Sequence, residues 1–263
     1  MMEEIRLTLR ALWHYAILGS LYDIAAYKSM ILMTVLGVLG SFLTYYFLGY
    51  SIVYQRGIAD YGVESPLAFI LSGLLLAQMA NPFRYNFPLH LRVFYYVYSR
   101  PSPPWLFLLE DWLSIYLKYN LLPVLIYAYA LLATSGLRAD PLAVALFIPF
   151  WVSMNVGLNL LENGLVYHVK RGEPVSLALK FIEYVFSGQY FPLTILPEVL
   201  RSAVWLYPLS WAYLVWRKAL FEGLGVMSTE FLIYVAASLT SLAAGLAVYR
   251  SGYMKIYREG LVL

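Results

Sequence analysis

Few charged side chains fall inside the long apolar stretches of this sequence, and those few are where chemistry would reside. Glu110 and Asp111 are followed by Lys118, seven residues after Asp111 and therefore on the same face of a helix. A charge at the centre of a bilayer costs about 2.5–3.5 kcal/mol unless it is paired or solvated. These groups therefore read either as a proton or ion relay or as a packing set in which Lys118 meets a carboxylate from a neighbouring helix. Packing requires less and is preferred. Asn155, Asn159 and Asn163 recur at i+4 with Glu162 beside them, a polar stripe turned toward partner helices or an aqueous path. Interhelical amide hydrogen bonds contribute about 0.6–2 kcal/mol each, which accounts for the stripe through packing alone.

Other chemistry is missing. No GxxxxGK[ST] phosphate loop occurs, so the chain has no nucleotide site of that kind. His14, His90 and His168 lie in separate elements, which leaves no histidine metal cluster, and no metal site is assigned. There is no GxSxG elbow, no HExxH and no paired-aspartate signature of a membrane phosphotransferase, and no catalytic residue is assigned. Absence of cysteine removes disulfides, thiolate metal sites and iron–sulfur clusters. An integral-membrane enzyme acting on lipid or a lipid-linked substrate would have to use Glu110, Asp111 or Glu162. An ion-coupled carrier would have to use Lys118.

The elements that hold these residues are apolar. The 263 residues are 62% hydrophobic and 13% charged, against roughly a quarter charged in soluble domains. No charge occurs between Lys28 and Arg56, Glu64 and Arg84, Lys118 and Arg138, Asp140 and Glu162, or Glu230 and Arg250. Each gap is long enough for a helix of about 20 residues to cross a bilayer. Residues 174–191, which carry Lys180 and Glu183, make a weaker sixth candidate. The sequence predicts an all-α membrane protein of about six spans, with five as the rival count. An N-terminus placed inside puts eleven of the eighteen lysines and arginines in the cytoplasm and five outside, Arg217 among the five. Basic loops stay cytoplasmic, so both termini of this multi-pass chain are expected there. The net charge of +3 reflects that bias and implies no nucleic-acid partner.

Residues 1–263 read as one transmembrane domain. Residues 2–27 carry Arg6, Arg10 and His14 opposite Leu9, Leu12, Trp13, Ala16 and Ile17, which suits a helix lying on the inner leaflet, with a simple lead into the first span as the rival reading. Spans follow at Ser29 to Tyr54, Pro66 to Asn81, Trp105 to Ser135 (kinked at Pro123), Pro141 to Tyr167, 174–191 and Phe231 to Tyr249. Residues 82–104 form the longest cytoplasmic connection, with a short helix from Leu89 to Ser99. Gly37 and Gly40 give a weak small-residue contact signal, and the many tyrosines and tryptophans suit interfacial belts.

The segment from Ser187 to Leu220 is apolar, yet Pro192, Pro197 and Pro208 divide it into pieces too short to cross a membrane. Irregular backbone at that depth survives only where protein or a water-filled cavity supplies hydrogen bonds. Ser187-Gly188, Phe191-Pro192, Leu196-Pro197, a tryptophan-bearing helix, Tyr207-Pro208 and then an arginine resemble the segment before the last helix of ABC-2 type transporter permeases. That resemblance implies a second permease protomer and a separate ABC ATPase subunit that binds ATP and Mg, with no cofactor in this chain. It implies that residues 191–227, including Phe191, Pro192, Leu196, Pro197 and Pro208, form an outer re-entrant cap. It also implies ATPase coupling through Arg6, Arg10, His90, Arg92, Tyr95, Arg100, Lys170 and Arg171, although the tyrosines and prolines of the first loop depart from the family's more acidic, glycine-containing one. Export across the cell membrane is the implied function. Asp111, Lys118, Asn155, Asn159 and Glu162 remain pathway or packing groups.

Overall fold

The computed structural model describes residues 12–26, 28–53, 58–85, 112–169 and 172–259. Nearly all of them are helical, and no strand occurs among them. The α-helices are α1 (Gly19–Ala26), α2 (Lys28–Val53), α3 (Pro66–Tyr85), α4 (Leu121–Thr134), α5 (Pro141–Val169), α6 (Gly172–Phe186), α7 (Glu198–Val204), α8 (Pro208–Phe221) and α9 (Thr229–Glu259). Two π-helical turns, Leu12–Leu18 and Tyr116–Asn120, lead into α1 and α4. Among the described residues, the runs Trp112–Thr134, Pro141–Val169 and Thr229–Lys255 are long and apolar enough to cross a membrane. Ile31–Phe47 and Pro66–Ala80 are shorter apolar stretches within α2 and α3. Arg6, Arg10, His90, Arg92, Tyr95, Arg100, Asp111, Lys170 and Arg171 lie outside the described residues, as do Glu110 and most of the 82–104 connection.

Several boundaries differ from the expectation, each for a local reason. The second helix continues through Pro82 to Tyr85; a proline late in a helix removes one hydrogen bond, here the one to the Gln78 carbonyl, without ending the helix. The distortion expected at Pro123 sits one turn earlier, in the π-helical turn Tyr116–Asn120. Pro123 has no N–H for the carbonyl four residues back, and the wider turn absorbs that loss. Helix α6 stops at Phe186 rather than 191, because Gly188 takes the left-handed conformation (φ 74°) that closes a helix. The last helix runs on to Glu259, ten residues past Tyr249, and carries Arg250, Lys255 and Arg258.

Helices α5 and α9 make the most extensive helix pair, and they run parallel. Tyr234 donates to the Phe147 carbonyl (2.9 Å), and Lys255 donates to the His168 carbonyl (3.2 Å), so one register holds from end to end. Between these bonds lie Gly157 and Gly164 on α5, opposite Gly245 and Gly252 on α9. A methyl group on Gly245 would overlap the Gly157 carbonyl, and one on Gly252 would crowd the Gly164 carbonyl. Glycines seven residues apart on both helices let the backbones touch, and close van der Waals packing is the main attraction between helices where no hydrophobic drive exists. Gly37 and Gly40, by contrast, face open space.

The connections collect at two ends. At the first, the Arg138 and Asp140 amides donate to the carbonyls of Leu220 and Ala219, and Tyr61 Oη accepts from the Leu193 amide. Residues 58–65, 135–140 and 218–228 therefore lie together. At the other, His168 Nε2 is 3.1 Å from the Ser251 hydroxyl. Helix α1 and the π-helical turn before it dock through small residues. Ala16 and Ser20 are buried, Ser20 hydrogen-bonds Ser114, and Trp13 stays 53% exposed.

Candidate functional site

The site begins where α6 ends. Ser187 Oγ accepts from the Gln189 amide (3.1 Å), which turns the chain away from the helix axis. Pro192, in the extended region, leads into the 3₁₀ turn Leu193–Ile195; Leu196 is extended again, and Pro197 precedes α7. Proline has no N–H to lose at the start of a helix, and Pro208 occupies that position in α8. Pro192 and Leu193 are buried, Phe191 and Tyr190 pack against the core, and Pro197 is exposed. The Tyr207–Pro208 turn shares a cleft of about 420 Å³ with Leu158 of α5 and Ser241 of α9, both mid-helix residues. From that depth α8 climbs to the first end, where Leu220 meets Arg138.

The side chain of Arg217 makes the most hydrogen bonds between this broken segment and the bundle. Arg217 of α8 is fully buried. Its Nη1 donates to the Gly188 carbonyl (2.7 Å), and Nη2 donates to the carbonyls of Gln189 (2.8 Å) and Phe69 (3.2 Å). Its Nε donates to the Ser72 hydroxyl (3.3 Å), and the guanidinium lies 3.5 Å from the centre of the Phe69 ring. The five-donor fork of arginine is suited to gathering several carbonyls at once. The broken chain exposes the Gly188 and Gln189 carbonyls because residues 187–192 form no helix. The next-door Trp216 Nε1 donates to the Ser72 carbonyl (3.0 Å), so consecutive residues of α8 pin the same turn of α3. Gly73 makes room for the clamp, since a methyl group there would strike the Gln189 carbonyl and crowd the guanidinium. Tyr61, above the clamp, is held neutral: burial raises its phenol above the usual range, against smaller opposing effects of the Leu193 amide and Arg217.

Beside the clamp lies a polar cavity of about 230 Å³ between α2, α3, α6 and the Gln189–Tyr190 turn. Lys180 and Glu183 enter it from α6, Gln78 from α3, and Gln189 from the turn. Tyr45 of α2 and Tyr190 close one wall with their rings stacked 3.9 Å apart. Glu183 and Gln189 are 7% and 4% exposed.

The structure separates the polar groups expected from sequence. Lys118 Nζ lies 2.6 Å from Asp23 of α1, a carboxylate from a neighbouring helix. The asparagine stripe bonds along its own helix: Asn155 donates to the Trp151 carbonyl (2.8 Å), and Asn163 donates to Asn159 through both its carbonyl and its side-chain oxygen (2.9 and 2.6 Å). The closest backbone approach of α5 to α9 is made at its glycines. Glu162 accepts from the Ser176 hydroxyl (2.5 Å) and joins α5 to α6. Sequence reading passed over Arg217 and the Lys180–Glu183–Gln78 cavity. An arginine inside an apolar, proline-broken stretch was the available signal for the first. For the second, two opposite charges one turn apart on α6 gave a partial one.

No protein-family model matches this chain, and no curated protein matches it in sequence.

Proposed function

We propose that the chain is the membrane-spanning permease subunit of an ATP-driven ABC-2 type exporter. The observation that carries this is the proline-broken segment, lodged against the bundle just before the last long apolar helix and gathered by a buried arginine. In this assignment the chain crosses the cell membrane six times with both termini in the cytoplasm. Residues 2–27 lie on the inner leaflet, and residues 191–227 form a re-entrant cap over the outer mouth of the pathway. The gathering of residues 58–65, 135–140 and 218–228 at one end supports such a path, because spans that alternate in direction return their loops to a common side.

The division of labour is mechanical. A second protomer completes the pathway, and a separate ABC ATPase subunit holds ATP and Mg. Its closure pushes on a cytoplasmic surface built from Arg6, Arg10, His90, Arg92, Tyr95, Arg100, Lys170 and Arg171. Two packings of the permease pair are biased by the nucleotide state of the ATPase. The rigid α5–α9 pair and the Arg217 clamp suit a body that rocks as a unit.

Gentle detergent purification from the native membrane tests the proposal. A stoichiometric cytosolic subunit with a phosphate-binding loop should copurify, and Arg92→Ala with Tyr95→Ala should release it. A chain that purifies alone under several mild conditions, with no associated ATP hydrolysis, would overturn the assignment.

A further inference from the structure

The cleft under the Tyr207–Pro208 turn is defined by its depth and by the chemistry of its walls. It holds about 420 Å³, within the range of about 300–1,000 Å³ typical of ligand pockets. Helices α6 and α9 both pack on α5, and the cleft lies between them over Leu158. Leu158 belongs to the membrane-crossing run Pro141–Val169, and Ser241, on the opposite wall, to Thr229–Lys255. At about 1.5 Å per residue, both stand within about 5 Å of the midpoints of their runs. The hydrocarbon core of a bilayer is about 30 Å thick, so the cleft lies near its centre.

The walls offer nothing to a polar guest. Among the described residues that line the cleft, none is charged. Thr240 Oγ1 donates to the Ala236 carbonyl (2.9 Å), and Ser241 Oγ donates to the Ala237 carbonyl (2.6 Å), so both hydroxyl protons are held within α9. Thr240 and Ala244 line the cleft and are also exposed, so it opens on the outer face of α9. Phe181, Leu206 and Leu239, chain neighbours of wall residues, are exposed and apolar.

Depth and walls together select the occupant. A charged or hydrogen-bonding solute would give up its water here without replacement. Water itself requires two to four polar partners, roughly, to stay in such a site. A hydrocarbon chain loses nothing on entry and gains dispersion contacts on every side. Lipid tails surround the bundle at this depth. We infer that the cleft seats one acyl chain of a membrane phospholipid, its terminal part lying beneath Pro208. The chain then fills the joint between α7 and α8 and props the broken segment from below. The inference needs α5 and α9 to cross the bilayer, and it rests on neither the ATPase nor export.

The test uses the full chain in nanodiscs of phosphatidylcholine that carries a diazirine near the end of one acyl chain. After illumination, adducts are mapped by peptide mass spectrometry. Labelling is expected at Leu158 and Ile182 of the cleft, and at Leu36 and Leu39, which are exposed on α2. Ala244→Trp fills the mouth and should lower labelling of the cleft at least about fivefold, leaving α2 unchanged. Thr240→Phe fills the same wall and guards against failure of the first variant to fold; each is used only if it melts with the parent. Moving the diazirine next to the glycerol should also empty the cleft of label, because that part of the chain lies at the interface. Labelling of α2 with none at Leu158 or Ile182 would overturn the inference, as would cleft adducts that persist in the filled variants. Cleft labelling by a water-soluble diazirine would mean an aqueous site and sink it too. Labelling there by a small aryl diazirine, but not by the lipid, would make the cleft a site for an apolar solute instead.

Discussion

Arg217 Nη1 donates to the carbonyl of Gly188 across 2.7 Å, joining the C-terminal half of α8 to the residue that ends α6. Gly188 can end that helix because it tolerates φ 74°, and its freed carbonyl is then taken by a guanidinium with no exposure to solvent. The break in the chain and the charge that repairs it are two halves of one device.

Removing that charge should be costly. Arg217→Met leaves the Gly188 and Gln189 carbonyls without their donor, while Phe69 keeps the Ser72 hydroxyl, and each buried unsatisfied group costs about 1–3 kcal/mol. A total loss of about 2 kcal/mol or more is expected, read as a lower melting temperature in detergent. Arg217→Lys should recover only part of it, because an ammonium cannot reproduce the fork. A Met variant that melts with the parent would refute the clamp.

The α5–α9 contact predicts a contrast between glycines. Gly245→Ala should destabilise by about 1–3 kcal/mol, since the two backbones must part to admit the methyl. Gly37→Ala should be close to neutral or mildly stabilising, because nothing lies near that position. Equal effects at the two sites would count against close backbone packing.

Lys118 and Asp23 should behave as a packing pair. Their side chains are 23% and 41% exposed, and such pairs contribute about 1 kcal/mol or less. A double-mutant cycle with Asp23→Asn and Lys118→Met should give a coupling of that size, and Asp23→Lys with Lys118→Asp should restore stability. Loss of ATP-independent ion flux in Lys118→Met alone would instead make the lysine a relay.

The cysteine-free sequence allows sidedness to be read directly. Ala139→Cys and Met227→Cys, both exposed and at the end that gathers 135–140 and 218–228, should react with an impermeant maleimide from the same side of sealed vesicles. Met254→Cys, near the opposite end, should react from the other side. Labelling of all three from one side would refute a membrane-crossing arrangement of α5 and α9.

The long apolar runs were legible in the sequence because a helix in lipid must satisfy its own backbone and therefore writes its length as a gap between charges. The helices Pro141–Val169 and Thr229–Lys255 fall over two such gaps, and the breaks at Pro192, Pro197 and Pro208 were written in residues that have no N–H to donate. Lys118 could be expected to reach a carboxylate, but not which one. Tertiary structure alone decided that Asp23 meets it, that the asparagines of α5 bond along their own helix while its glycines touch α9, and that Arg217 gathers carbonyls from α3 and from the end of α6. Those outcomes depend on which groups a particular register brings within 3 Å of one another. Local sequence sets the length and polarity of each helix, whereas register is fixed only when the whole bundle packs.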